Sequence, residues 1–222
     1  MNNGLSAIIA VRKGSKRVVN KNTRPFADSS LLEIKIQQLL RMDKVDNIYV
    51  STDCEKILSI ASGYGVKTDL RDPYYASDSV SMNEVYECLA KMTQDEHILF
   101  VHVTSPLLLD DSLNASIDKY FSLSEEYDSL ATVRQMHEYI WHDGQPVNYD
   151  PNNHPRSQDL PNYYALNFAV NLITRKSMLS RKNIVGDKFY PFLLDDVEST
   201  DVDTELDFKI AEFMYNEKLQ QR

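Results

Sequence analysis

"LSAIIAVRKGSKRVVNKN", residues 5–22, decides the fold. An apolar, β-rich run from Leu5 to Val11 ends abruptly in a loop carrying Arg12, Lys13, Lys16, Arg17 and Lys21. The segment that follows, "SSLLEIKIQQLLRM" (29–42), has helical period. Ser30 and Glu33 have the spacing of a capping box, and Leu32, Ile36, Leu39 and Leu40 fall on one stripe that packs on a sheet. Strand, basic turn and helix make a first βα unit.

The alternation recurs along the chain. Strands are expected at 5–11, 47–52, 66–70, 98–104 and 129–135, and further helices near 53–62, 81–93, 110–122 and 204–219. The last helix has Thr204 as its N-cap and Leu206, Ile210, Phe213 and Met214 as its expected buried face. Such alternation predicts an α/β fold, a mainly parallel sheet flanked by helices, in a single domain over residues 1–222. Residues 136–165 break the rhythm. Turn formers there alternate with Tyr139, Trp141, Tyr149, Tyr163 and Tyr164, too aromatic a mix for a solvated tether, so an ordered excursion is expected.

Composition narrows the partners. With 33 acidic against 24 basic residues and a net charge of −9, the chain lacks the spread of positive charge that coats nucleic acid, while a small anion remains a fitting ligand. Cys54 and Cys88 have no metal-like spacing and no secretory leader precedes them, so they read as reduced thiols of a cytoplasmic protein. No apolar stretch approaches the ~20 residues a membrane helix needs.

In open α/β sheets, ligands bind at the carboxyl edge of the strands, which is where the basic loop sits. Gly14 and Ser15 permit a tight turn with N–H groups facing a ligand, and Arg12, Lys16 and Lys21 can reach charged oxygens from several sides. The expected guest is a triphosphate, although neither GxxxxGK[ST] nor GxGxxG is present. At the other end, "DDVESTDVDTELD" (195–207) holds seven carboxylates. Asp195, Asp196, Glu198, Glu205 and Asp207 read as a solvated turn and helix start. Asp201 and Asp203, two apart in an extended segment, can converge on one Mg²⁺.

"IIAVRKGSKRVVNKN" (8–22) resembles the amino-terminal signature of the cytidylyltransferases that activate sialic and related nonulosonic acids, and further pieces agree in order. They are "VSTD" (50–53), "LRDPYYASDSVS" (70–81), "HVTSPLL" (102–108), "RSQDLPNYYALN" (156–167) and "DVDTELDFKIAE" (201–212). The resemblance implies a Rossmann-like fold of the nucleotide-diphospho-sugar transferase type, with the 136–165 excursion as a dimerisation arm that completes a second subunit's site. It implies that the hydroxyl of an acidic sugar attacks the α-phosphate of CTP, giving a CMP-sugar and pyrophosphate, with Mg²⁺ on Asp201 and Asp203. Arg12, Lys16 and Lys21 would hold the phosphates, and Asp203 would accept the proton. Asn22, Arg71, Ser81 and the segment beginning at His102 would shape the nucleotide site.

The chain also departs from the family pattern. His102 replaces a common Gln, Leu108 stands where a basic residue is frequent, and Ala165 and Phe168 replace the Arg and Gly that flank the retained Asn167. On the acceptor side, His102, Asn167 and Arg156 are the expected contacts, because a planar guanidinium matches a sugar carboxylate. Two other readings stand beside cytidylyl transfer: a nucleotide-binding homologue without catalysis, and a nucleotidyltransferase using another nucleotide or sugar.

Overall fold

The computed structural model describes residues 4–14 and 17–220. The first βα unit forms as expected, with β1 over Leu5–Ala10 and α1 over Leu31–Leu40. The Ser30 hydroxyl caps α1 by accepting the Glu33 N–H at 3.3 Å, and it donates to the Glu33 carboxylate at 2.6 Å, so the expected pair meets at the helix start. Leu31, Leu32, Ile36 and Leu39 are buried, whereas Leu40, expected on the same stripe, points to solvent.

The chain continues through β2 (Asn47–Thr52), α2 (Glu55–Gly63), β3 (Lys67–Leu70), α3 (Pro73–Ala76), α4 (Met82–Ala90), β4 (His97–Val101) and α5 (Asp110–Phe121). After β5 (Ser129–Met136) come the two-residue strands β6 (Trp141–His142) and β7 (Gln145–Pro146), then β8 (Tyr163–Thr174), α6 (Arg175–Arg181), β9 (Phe189–Leu193) and α7 (Glu205–Gln220). Seven strands form one sheet in the order β3-β2-β1-β4-β8-β5-β9. Only β8 runs against its neighbours; all other pairings in this sheet are parallel.

Strand pleating sends alternate residues to two cores. Ala7, Ile9, Leu99 and Val101 face α1, α2, α5 and α7, while Ile8, Ile98 and Phe100 face Val85 and Leu89 of α4 and Met178 of α6. Thr204 caps α7 as expected, its hydroxyl accepting the Asp207 N–H at 3.2 Å. The buried face of α7 is not the expected one. Phe208 and Ala211 are buried, with Met214 and Tyr215 partly so, whereas Leu206 is 66%, Ile210 45% and Phe213 66% exposed. The reason is Phe26, whose ring meets Phe208 edge-on at 5.2 Å and Tyr215 at 5.5 Å and so selects that side of the helix.

The excursion is ordered and shorter than expected, since β5 extends to Met136 and β8 begins at Tyr163. Inside it, Tyr139, Tyr149 and His154 pack on one another at 4.7–5.1 Å between ring centroids. The Trp141 indole N–H donates to the Tyr149 hydroxyl at 3.0 Å. Among the described residues, no helix is long and apolar enough to cross a membrane.

Candidate active site

The winding of the sheet reverses between β1 and β4, because β1 leads outward to β2 and β3 while β4 lies on its other side. A crevice outside the carboxyl ends of two such strands is where this architecture holds ligands. After these strands, Val11, Arg12, Arg17, Lys21 and Asn22 on one side and His102, Val103 and Thr104 on the other line a cleft of about 510 Å³ there.

Backbone contacts shape the basic loop. Gly14 adopts φ +79°, a left-handed conformation that suits glycine, and the Lys13 N–H donates to the Asp53 carboxylate at 2.6 Å. Asp53 belongs to "VSTD" at the end of β2, so the neighbouring strand fixes the turn. The Asn22 amide reaches the Arg12 carbonyl at 3.5 Å, and the Asn22 carbonyl accepts the Leu32 N–H at 3.1 Å, tying the loop to α1. Ser15 and Lys16 lie outside the described residues.

The two ends of the chain meet across this cleft. Arg17 donates both terminal nitrogens to Asp203, at 2.9 and 3.0 Å. The Lys21 ammonium donates to the Val202 carbonyl at 2.7 Å and lies 3.4 Å from Asp203. Arg17 is a site residue that the sequence reading left unassigned; its only signal was membership of the cation cluster. The acidic segment is fastened to β4, because the Val202 N–H donates to the Thr104 carbonyl at 2.8 Å. Asp207, expected to be solvated, accepts the N–H groups of Asp203 and Thr204 at 3.1 and 2.7 Å and so fixes the bend that presents Asp203.

Asp201 is exposed at the surface, yet partial desolvation of its carboxyl disfavours the charged form and pushes it up, and the charge of Asp203 adds to the shift. Among the described residues no group of three His, Cys, Asp or Glu side chains gathers. Asp201 and Asp203 are two carboxylates, fewer than such a group, and a Mg²⁺ held by two carboxylates takes its remaining oxygens from waters and substrate phosphate.

A second lobe of about 370 Å³ opens beside the first and shares Arg12 and His102 with it. Arg12 spans the boundary and pairs with Asp78 at 2.7 Å. Arg71 is 6% exposed and acts as a clamp: its guanidinium donates to the carbonyls of Val11 at 3.1 Å and Ser51 at 2.6 Å, and to the Ser51 hydroxyl at 3.1 Å. Arg71 thus sets the spacing of the β1 and β2 ends while lining this lobe. Ser81 caps α4 instead of lining either lobe, its hydroxyl accepting the Glu84 N–H at 3.3 Å.

His102 sits where the lobes join. Burial, reinforced by the charges of Lys35 and Lys21, holds its imidazole down at about 4, so it is neutral at pH 7. Lys35 is fully buried on α1, donating to the Gln38 side chain at 2.7 Å and the Ser105 carbonyl at 3.1 Å beneath the turn after β4. Desolvation draws its ammonium down to about 7. The sequence held a signal for Lys35, which falls three residues after Leu32 on the buried side of α1.

Two of the three expected acceptor contacts, Asn167 and Arg156, are engaged within the protein. Both ends of the Asn167 amide are taken: its oxygen accepts the Thr132 hydroxyl at 2.6 Å, and its nitrogen donates to the Ser199 hydroxyl at 3.0 Å. Asn167 therefore ties β5 and β8 to the turn before Asp201. Arg156 pairs with Asp159 inside the excursion, at 2.7 Å, and lines neither lobe.

A family model described as cytidylyltransferase matches residues 6–213. The chain belongs to this family. Among curated proteins, this cytidylyltransferase is 29% identical over 220 residues to a pseudaminic acid cytidylyltransferase of Campylobacter jejuni, covering 94% of each chain. It is 26% identical over 226 residues to the post-translational flagellin modification protein B of Campylobacter coli, covering 95% of this chain and 94% of that one. Against the N-acylneuraminate cytidylyltransferase of Oncorhynchus mykiss it is 25% identical over 94% of its own length, spanning 49% of that longer relative. The cytidylyltransferase fold also matches a solved CMP:2-keto-3-deoxy-manno-octonic acid synthetase complexed with CTP, at a TM-score of 0.71 and 11% identity, covering 97% of this chain and 99% of that one.

Proposed function

We propose that this cytidylyltransferase transfers CMP from CTP to the hydroxyl of a nonulosonic acid, with release of pyrophosphate. The observation that carries the reading is the meeting of Arg17 and Lys21 with Asp203 in the crevice between β1 and β4. The relatives named for pseudaminic and N-acylneuraminic acids support the acceptor class.

The reaction brings an anionic sugar to a polyanion, so charge neutralisation and alignment dominate the barrier. Arg12, Arg17 and Lys21, together with Lys16 and the Gly14–Ser15 turn, hold the phosphates in the cationic lobe. The cytidine lies in the lobe lined by Arg71, with Asn22 bracing the loop between them. Arg17 exchanges Asp203 for phosphate as CTP binds, and this frees the carboxylate. The sugar oxygen then bonds to the α-phosphorus, its proton passes to Asp203, and the bond to pyrophosphate breaks. Asp201 and Asp203 would hold Mg²⁺, which when bound supplies positive charge to the phosphate oxygens and acidifies the attacking hydroxyl.

A homodimer completes the reading. The excursion exposes Trp141 and Val147, the start of β8 beside it exposes Tyr163 and Tyr164, and the excursion carries Arg156, whose guanidinium would reach a sugar carboxylate in a second subunit's cleft.

The deciding experiment incubates the protein with CTP, Mg²⁺ and a panel of nonulosonic acids, follows pyrophosphate and weighs the product. A CMP adduct with at least one acid is expected. CTP binding without pyrophosphate from any acid would instead favour a nucleotide-binding homologue. Asp203→Asn should lower kcat at least a hundredfold, about 2.7–4 kcal/mol of transition-state stabilisation, while CTP still raises the melting temperature.

A further inference from the structure

Phe168 lies in β8 with φ +56°, in the left-handed region that a bulky residue occupies only when its surroundings hold it there. What holds it is on both sides. The register between β5 and β8 shifts between Ala131 and Val133, and the Thr132 hydroxyl inside that shift donates to the Asn167 side chain at 2.6 Å and accepts the Val170 N–H at 3.0 Å. Asn167 in turn accepts the Ala169 N–H at 3.2 Å, and the Asn171 amide reaches the Phe168 carbonyl at 3.4 Å. Every residue next to Phe168 in this bulge is therefore pinned.

The strained backbone delivers the Phe168 ring to one place. It stacks on His102 with 6.0 Å between centroids and 16° between planes, and the Phe100 ring meets His102 edge-on at 5.4 Å and 69°. Among the described residues none hydrogen-bonds the His102 ring, so its aromatic neighbours alone set its orientation and its nitrogens are left to a ligand. His102 lines both the cationic lobe and the Arg71 lobe, where the two join. With triphosphate in the first and base in the second, the junction receives the α-phosphate, the ribose and the incoming sugar.

We propose that Phe168 is a positioning residue: its stack fixes the His102 ring at the lobe junction, so that the imidazole meets the acidic sugar and the ribose at a set angle and helps select the acceptor. The proposal rests on the cytidylyl-transfer reading above. It also joins two departures from the family pattern into one unit, since the residue in place of Gly packs on the residue in place of Gln. The charges that face His102 come from three elements, namely Lys35 on α1, Lys21 in the basic loop and Asp203 before α7.

The test compares the full-length parent with Phe168→Gly, Phe168→Leu and Phe168→Tyr, using steady-state kinetics and the His102 ring resonances by NMR from pH 5 to 8. Loss of the ring in the Gly and Leu variants should lower kcat/KM for the acidic sugar about ten- to a hundredfold, the scale of a misplaced contact, with KM for CTP within about twofold. Phe168→Tyr, which keeps the ring, should stay within about threefold of the parent by the same measure. The His102 ring should be silent to pH in the parent and Tyr variant and should titrate toward 6.5 in the other two, where solvent reaches it. Folded Gly and Leu variants with parental kinetics, or slow ones whose His102 resonances match the parent's, would overturn the proposal. If the parent itself transfers no CMP, the reaction assignment has failed, and the NMR comparison still decides whether Phe168 positions His102.

Discussion

Arg17 grips both carboxylate oxygens of Asp203 across 186 residues of chain. The pair is largely solvated, Arg17 being 66% and Asp203 42% exposed, so it adds little to stability, under ~1 kcal/mol. On the proposed reading its meaning lies in what it occupies: the Asp203 carboxylate holds on Arg17 the place that phosphate takes, and it is restrained until that stronger anion arrives. Arg17→Ala should therefore leave the denaturation midpoint nearly unchanged while raising KM for CTP about tenfold, the scale of one charge-assisted contact. Pyrophosphate-release kinetics beside a urea titration check both halves. A large loss of stability with unchanged KM would reverse the roles.

Lys35 gives the protein a pH dependence whose sign can be worked out. Its ammonium ionises near 7 when folded against 10.5 ordinarily. Between these values the unfolded chain keeps a proton that the folded chain has released. Stability therefore rises with pH through that window and has been lost by about pH 7. Lys35→Met removes this dependence. The stability difference between variant and parent should shift in the variant's favour by roughly 1–4 kcal/mol as pH falls from about 10 to about 7, as when a buried charge yields to an apolar group. Denaturant melts at both ends of the window measure it, and a difference independent of pH would contradict the assignment.

Arg71 predicts the opposite balance, a structural cost at a position expected to serve the ligand. Removing its side chain strands the carbonyl of Val11 at the end of β1, while the Ser51 carbonyl keeps the Val11 N–H at 3.0 Å. Arg71→Ala should cost about 1–3 kcal/mol, the scale of one orphaned acceptor, and Arg71→Lys should recover only part because an ammonium lacks the fork. The chevron midpoint reads stability, and CTP binding by melting-temperature shift tells whether the loop has moved.

These residues also mark where the sequence was legible. The β1 turn, the capping pair at Ser30 and the N-cap at Thr204 all rest on local signals: period, spacing and charge type. What escaped depends on contacts between distant segments. β8 lies at the centre of the sheet, but its first half, "YYALN", is largely exposed and carries no clean alternation, so nothing local marks it as a strand. On α7 the helical period allowed two apolar stripes, and only the ring of Phe26 chose Phe208 over Leu206 and Phe213. The cation cluster announced a phosphate loop without saying that Arg17 faces Asp203, since a loop has no period from which direction can be read.

The left-handed backbone at Phe168 yields a stability order that ordinary packing would not. Phe168→Ala and Phe168→Gly remove the same ring from His102 and its surroundings, so both lose a similar amount of packing. They differ in the backbone. At φ +56° alanine retains the clash of its Cβ with the following carbonyl, about 1–2 kcal/mol, whereas glycine is free of it. Glycine also has the larger conformational entropy to lose on folding, which at a regular strand position makes it the worse choice by ~0.5–1 kcal/mol. Here strain outweighs that entropy, and Phe168→Gly should be more stable than Phe168→Ala by up to about 1 kcal/mol. Paired urea titrations of the two variants settle the order. An alanine variant as stable as the glycine one would mean that the bulge relaxes out of the left-handed region, and that the stack on His102 is held by something other than a pinned backbone.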